Sequence, residues 1–170
     1  MGRFQPLHLG HMDAIRQSLK NRDMLIIAIG SGEQNFRPEN PLTAGERIEM
    51  VKAALDEEKI PPGKYLIIPI ANISNFALWP AYVDFFLPVY ETLCTGSDVV
   101  KCLYKSYNAI RKKPYKIFNI RKNLPITSTQ IRKLMLKGKK WEHLVPKSTA
   151  SLLKKLDIVN RLKSVQEAEK

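Results

Sequence analysis

Short apolar runs alternate with amphipathic stretches along most of the chain. Met24-Leu25-Ile26-Ile27-Ala28-Ile29 and Tyr65-Leu66-Ile67-Ile68-Pro69-Ile70 read as strands buried on both faces. Val89 to Cys94 and the shorter Tyr115 to Ile120 read as a third and a fourth. Between them, Met12, Ile15 and Leu19 recur at helical spacing over His11 to Lys20. Ile48, Val51 and Leu55 do the same behind Thr43-Ala44-Gly45-Glu46, whose hydroxyl and carboxylate have the spacing of a capping box. Further helices are predicted from Trp79 to Phe86 and from a Ser97 cap through Tyr104. Another carries Ile131, Leu134 and Met135 and is ended by Gly138. A single basic helix is predicted from Pro146 to Leu162, packing Leu152, Leu153, Leu156 and Val159 inward, with a frayed tail beyond. Strands alternating with helices predict a parallel sheet covered on both faces, with ligands at the carboxyl ends of the strands.

Composition narrows this little. At 170 residues, 44% apolar and 26% charged, the chain has the size and balance of one globular domain. The longest apolar run is too short to cross a membrane, and the absence of a leader pattern predicts a cytoplasmic protein. Cys94 and Cys102 offer neither a metal cluster nor a disulfide framework and are expected to be small core residues. Residues 1–100 hold 9 Lys/Arg against 12 Asp/Glu, whereas residues 101–170 hold 19 against 4. That asymmetry fits nucleic acid, anionic nucleotides or only a solvated surface, so charge alone selects no function.

Chemistry gathers at the start of the chain. Gly2-Arg3-Phe4-Gln5-Pro6-Leu7-His8-Leu9-Gly10-His11 holds two of the three histidines, placed where a helix begins. A helix N-terminus attracts anions through its unpaired N–H groups and aligned peptide dipoles. Gly10 lets a ligand approach the backbone closely. With Arg3 and two imidazoles beside it, the segment is a candidate polyphosphate site. Near Ile131 a second candidate appears, where Thr127-Ser128-Thr129 precedes a helix with Arg132 and Lys133 in its first turns. One hydroxyl suffices for a cap; three are more than a cap requires. Arg47 lies in the first turn of its helix, where the dipole disfavours a cation, so it faces either an anion or Glu46 or Glu49. Trp79 either stacks on a ligand ring or packs in the core.

His8-Leu9-Gly10-His11 resembles the HxGH signature of nucleotidylyltransferases, and Ile126-Thr127-Ser128-Thr129-Gln130-Ile131-Arg132 resembles their distal ISSTxxR motif. Gly2 to Pro6, Thr43 to Arg47, Ala77-Leu78-Trp79 and Trp141 to Pro146 resemble the archaeal nicotinamide-mononucleotide adenylyltransferases, so that the likeness spans nearly the whole chain. The resemblance implies an α/β, Rossmann-like doubly wound parallel sheet of nucleotidylyltransferase type over residues 1–146. A C-terminal helical extension would occupy residues 147–170.

It further implies transfer of the adenylyl group of ATP to nicotinamide mononucleotide, with pyrophosphate released by direct attack. His8, His11, Arg3 and Arg132 would be catalytic. Phe4, Gln5, Gly10, Thr127, Ser128 and Thr129 would join them in binding ATP, and Gly30, Ser31, Arg47, Asn75 and Trp79 would line the acceptor side. Mg2+ would be held mainly by the ATP phosphates, and the assembly would be a homo-oligomer, a hexamer in this family. Phe76 stands where archaeal relatives place an asparagine, and Gly96-Ser97 where they read Gly-Asn; the loop from Gly30 to Gln34 also departs. These changes leave room for another phosphorylated acceptor, such as phosphopantetheine, and for transfer from CTP. A basic nucleic-acid-binding protein is the contrasting class, although Arg111-Lys112-Lys113 and Lys137 to Lys140 lack interleaved aromatics.

In the fold so implied, the HxGH segment follows a central first strand. Only seven residues precede His8, and Gly2 to Leu7 holds no apolar run. The natural polypeptide is therefore expected to start several residues upstream with an apolar strand. This chain is expected to start at an internal Met and to show a gap or a substitute strand between the strands at Met24–Ile29 and Tyr65–Ile70 and the remaining sheet.

Overall fold

The computed structural model describes residues 1–169. Leu25–Ile29 (β1) pairs in parallel with Tyr65–Pro69 (β2), Leu25 opposite Tyr65 and Ile29 opposite Pro69. Thr92–Thr95 (β3) and Lys116–Asn119 (β4) form a second parallel pair. The two pairs are separate sheets. The pairing is thus interrupted between β1–β2 and β3–β4, and among the described residues only Gly2 adds to β1, through a parallel bridge to Ile29.

The first helix, Leu9–Leu19 (α1), starts two residues earlier than its apolar stripe suggested, because His8 caps it. The capping box at Thr43 forms as expected: the Glu46 N–H donates to Thr43 Oγ1, and the Thr43 N–H donates to Glu46 Oε2. It opens Ala44–Glu57 (α2). A short 3-10 turn at Phe76–Leu78 leads into Trp79–Phe86 (α3). Asp98–Asn108 (α4), Ser128–Leu136 (α5), Lys147–Lys155 (α6) and Ile158–Ala168 (α7) complete the helices. Among the described residues, no helix is long and apolar enough to cross a membrane.

Two apolar clusters result. The larger joins Phe4, Leu7 and Met12 to α2, α5, α6 and α7, with Trp141 among them. The smaller holds Ala28, Ile70, Trp79 and Val83.

Five local expectations fail. The third strand begins at Thr92, not Val89. Val89 is fully exposed, and Tyr90 turns its ring onto Tyr115 at 4.6 Å instead of extending the strand. The next helix runs on to Asn108 because its end is tied down. Tyr107 Oη donates to Asp84, and Asn108 exchanges two hydrogen bonds with the Tyr115 backbone. The basic C-terminal helix is two helices, broken at Asp157 in a left-handed conformation (φ 47). It does not fray after Leu162, since Val165 is buried and α7 continues to Ala168. Neither cysteine is core: Cys94 is half-buried and Cys102 exposed.

Asp84 organises the β3–β4 half. Its carboxylate accepts from Tyr90, Tyr107 and Tyr115 hydroxyls and from Arg111. Nothing in the sequence pattern singled it out.

Candidate active site

The segment from Arg3 to His11 turns sharply and is held from three sides. Gln5 is 1% exposed and is clamped to the lead-in of α2: its Nε2 donates to the Leu42 carbonyl and its Oε1 accepts the Leu42 N–H. Behind it, Arg132 Nη1 donates to the Gln5 carbonyl at 2.7 Å, and Ser128 Oγ donates to the Pro6 carbonyl at 2.9 Å. Two residues 122 and 127 positions away thus dock the start of α5 on the approach to α1. The N-termini of both helices meet at one place, as the paired motifs led us to expect.

Within α1, His8 and His11 form a capping box made of imidazoles. The His11 N–H donates to His8 Nδ1, and the His8 N–H donates to His11 Nδ1, both at 3.3 Å. The rings stack with centroids 3.6 Å apart, and the edge of Phe4 packs on His11. Because each Nδ1 is an acceptor, each ring carries its proton on Nε2, leaving two donors for an anion. Burial holds His8 down to about 4. Burial, then the neighbouring His8 and then the chain's amino terminus hold His11 well below its ordinary value. Both are neutral at pH 7. The bare backbone at Gly10 gives this pair room: a Cβ there would lie 3.1 Å from His8 Nδ1.

The three hydroxyls at α5 divide their work. Thr127 caps, accepting the Gln130 N–H; Ser128 fastens the helix to Pro6. Thr129 is exposed, with Arg132 Nη2 3.5 Å from its oxygen. A cleft lined by Thr127, Thr129, Gln130 and the lysines 133, 137 and 139 runs beside them.

Charge is concentrated here. Burial lowers Arg132, and the Arg3 cation lowers it further. Arg47 is also lowered, mainly by burial, with Arg3 again contributing. Arg3 itself is exposed. Arg3 thus repels both buried guanidiniums, and an anion placed beside Arg3 and Arg132 would relieve that repulsion.

Several expected ligand residues have other duties. Arg47 is fully buried and touches neither Glu46 nor an open pocket. Its guanidinium donates to the carbonyls of Thr43, Arg3, Gly30 and Ser31, with Gly32 and Gln34 at 3.5 and 3.4 Å. It is a clip that shapes the loop after β1. Glu46 instead pairs with Arg161 from α7. The side chains of Phe4 and Gln5 are buried scaffold, so only their backbone can meet a ligand. Ser31 is buried with φ 54, its Oγ donating to Asn72 Oδ1 at 3.2 Å. Asn72 had no signal in the sequence. Asn75 is exposed, and its Oδ1 accepts the Ala77 N–H. Trp79 is 3% exposed in the smaller core, which favours the packing alternative over stacking; among the described residues its Nε1 has no partner.

Among the described residues, no three His, Cys, Asp or Glu side chains come together to hold a metal ion. The donor set at the two helix ends is cationic or neutral, suited to phosphate oxygens.

A family model described as cytidylyltransferase-like matches residues 1–134. The chain is 37% identical over 169 residues to the nicotinamide-nucleotide adenylyltransferase of Methanococcus vannielii, covering 99% of this chain and 94% of that one. It is 38% identical to that of Archaeoglobus fulgidus, covering 97% and 94%. Its fold is similar, with a TM-score of 0.79 and 21% identity, to a bifunctional NMN adenylyltransferase/ADP ribose pyrophosphatase from Francisella tularensis. That match covers 99% of this chain and 52% of the other, so the chain spans about half of that protein.

Proposed function

The chain belongs to the cytidylyltransferase-like family, and we propose that it transfers the adenylyl group of ATP to nicotinamide mononucleotide, forming NAD and pyrophosphate. The observation that carries this reading is the pair of imidazole Nε2 donors at the start of α1, held against the start of α5 by Arg132 and Ser128.

In the proposed reaction an oxygen of the acceptor's 5′-phosphate attacks the α-phosphorus of ATP. The bond from that phosphorus to the bridging oxygen breaks, and pyrophosphate leaves with the electron pair. No side-chain nucleophile takes part. The Nε2–H groups of His8 and His11 donate to phosphate oxygens as charge shifts toward the leaving group. The first free N–H groups of α1 and α5 add fixed positive ends. Thr129 and Arg132 hold the β- and γ-phosphates, and Arg3 closes over them from solvent. Alignment and charge stabilisation then supply the rate. Mg2+ belongs to this proposal as an ion held by the ATP phosphates, where it would neutralise charge.

Assembly of several copies in the cytoplasm is part of the same reading. Phe85, Val89 and Ile110, exposed by 87%, 100% and 80%, are apolar side chains that such contacts would cover. Sedimentation at micromolar concentration tests that part.

The central experiment measures pyrophosphate release with ATP or CTP against nicotinamide mononucleotide, nicotinic acid mononucleotide and phosphopantetheine. Release with ATP and nicotinamide mononucleotide alone supports the full reading. Preference for phosphopantetheine or CTP overturns the acceptor or the donor separately.

A further inference from the structure

Residues 32–42 carry the chain from β1 to α2 with neither helix nor strand, so side chains must hold them in place. The first half is fixed by the Arg47 clip and by the Asn72 N–H, which donates to Glu33 Oε2 at 3.0 Å. The second half closes on itself. Arg37 and Asn40 exchange two backbone hydrogen bonds, at 3.2 and 3.0 Å, and Asn40 Nδ2 donates to Gln34 Oε1 at 2.7 Å.

This turn is tied to the body from 120 positions away. Arg161 Nη1 donates to the Pro41 carbonyl at 3.3 Å and to the two Glu46 oxygens at 2.8 and 2.7 Å. Its guanidinium also lies over the Phe36 ring, 4.8 Å from the ring centre. Phe36 is 53% exposed and has φ 49, a left-handed conformation that a bulky residue keeps when its surroundings hold it there. The break at Asp157 places Arg161 in the first turn of α7, where its N–H donates to the Asp157 carbonyl. The helix dipole disfavours a cation there, and Glu46 offsets that.

From this turn the contacts run on to the candidate site. Pro41 is bonded to Leu42, which exchanges two hydrogen bonds with Gln5, and the Gln5 carbonyl accepts from Arg132. α7 itself packs on α5, the helix that carries Arg132, with Leu162 buried next to Arg161. Burial and then Arg3 lower the Arg132 pKa, while Glu39 of the same turn raises it. The Glu39 carboxylate is therefore within electrostatic reach of that guanidinium.

We propose that Arg161 is a positioning residue: it latches residues 36–41 to α7 and, through Leu42 and Gln5, holds Arg132 where the triphosphate of ATP would meet it. The inference rests on the ATP reading of the site. One planar cation serves a ring face, a carboxylate and a carbonyl together, which the point charge of a lysine does not reproduce.

The test compares Arg161→Lys, Phe36→Ala and Phe36→Tyr in the full chain. Hydrogen exchange of the Leu42 N–H, which Gln5 Oε1 accepts, should speed up roughly tenfold in the first two and stay at the parent rate in Phe36→Tyr, which keeps the ring. Phe36 is exposed, so Phe36→Ala should move Tm by no more than about 3 °C. The KM for ATP should rise several-fold in Arg161→Lys and Phe36→Ala, with kcat within about twofold of the parent. Combining the two should add little to the worse single variant, because both break the same contact. Parental Leu42 exchange in both variants overturns the latch. A lowered Tm with a parental KM for ATP leaves Arg161 a role in stability alone and overturns the positioning. If the parent chain releases no pyrophosphate from ATP, the proposed reaction fails, and the Leu42 exchange still decides the latch.

Discussion

His8 Nδ1 and His11 Nδ1 each accept the backbone N–H of the other residue, at 3.3 Å in both directions. The side chains that cap α1 are the ones that, in the proposed reaction, would offer Nε2 donors to phosphate, and substitutions can separate capping from that chemistry.

At His11, alanine removes both the cap acceptor and the Nε2 donor, whereas asparagine keeps an acceptor near the position of Nδ1. We expect both variants to lose roughly two or more powers of ten in turnover. His11→Ala alone should also lose about 1 kcal/mol of stability. Steady-state kinetics with urea unfolding checks this, and unchanged turnover in either variant would remove His11 from the mechanism.

Acid should act through the same pair. His8 titrates near 4 in the folded chain but near its ordinary value of 6.5 when unfolded. Between those values the unfolded chain binds more protons, so stability is full above pH 6.5 and falls as pH drops toward 4. For His8 the loss is of order 3 kcal/mol by pH 4. Turnover should show no inflexion at 6.5. Unfolding curves from pH 8 to 4 test the first statement, and the pH profile of kcat tests the second.

Arg47→Lys should be severe. A single ammonium cannot serve the carbonyls of Thr43, Arg3, Gly30 and Ser31 together. Each buried carbonyl left unpaired costs roughly 1–3 kcal/mol, so a total loss of about 3 kcal/mol or more is expected. A variant as stable as the parent, with only a raised KM for ligand, would return Arg47 to the anion pocket.

Trp79→Ala should cost roughly 3–5 kcal/mol, because the ring fills the smaller core beside Ala28, Ile70 and Val83. Thermal melting reads this directly. A normal Tm with a raised acceptor KM would show that the ring stacks on ligand.

The hydroxyls of α5 give a paired comparison. Ser128→Ala removes the tie to Pro6 and should lower stability by about 1 kcal/mol. Thr129→Val, at an exposed position, should leave stability unchanged and raise the KM for ATP several-fold. The reverse pattern would exchange their roles.

The sequence by itself determined most of the elements and marked the two segments proposed to bind polyphosphate. Apolar runs at β1 and β2, the Thr43 capping box and the stop at Gly138 (φ 62) act over a few residues, where steric and capping rules are strong. The HxGH segment and the hydroxyl run before Arg132 stood out by their charged and polar residue types and by their resemblance to nucleotidylyltransferase motifs. Where an element ends against a distant partner, local signals failed. Val89 and Tyr90 have strand-forming side chains, yet Tyr90 is drawn to Tyr115 and its hydroxyl donates to Asp84. Asp157 breaks a continuous apolar stripe so that α6 and α7 pack on different helices.

Only the tertiary structure could decide which polar side chains are spent on the fold. Arg47, Gln5 and Ser128 carry the donors and acceptors a nucleotide site needs, and each is instead committed to a backbone group far along the chain. Buried backbone polar groups must find partners, and the long-range path of the chain determines which side chains they claim. Thr129 and Arg3 stay exposed, where the proposed reaction would use them.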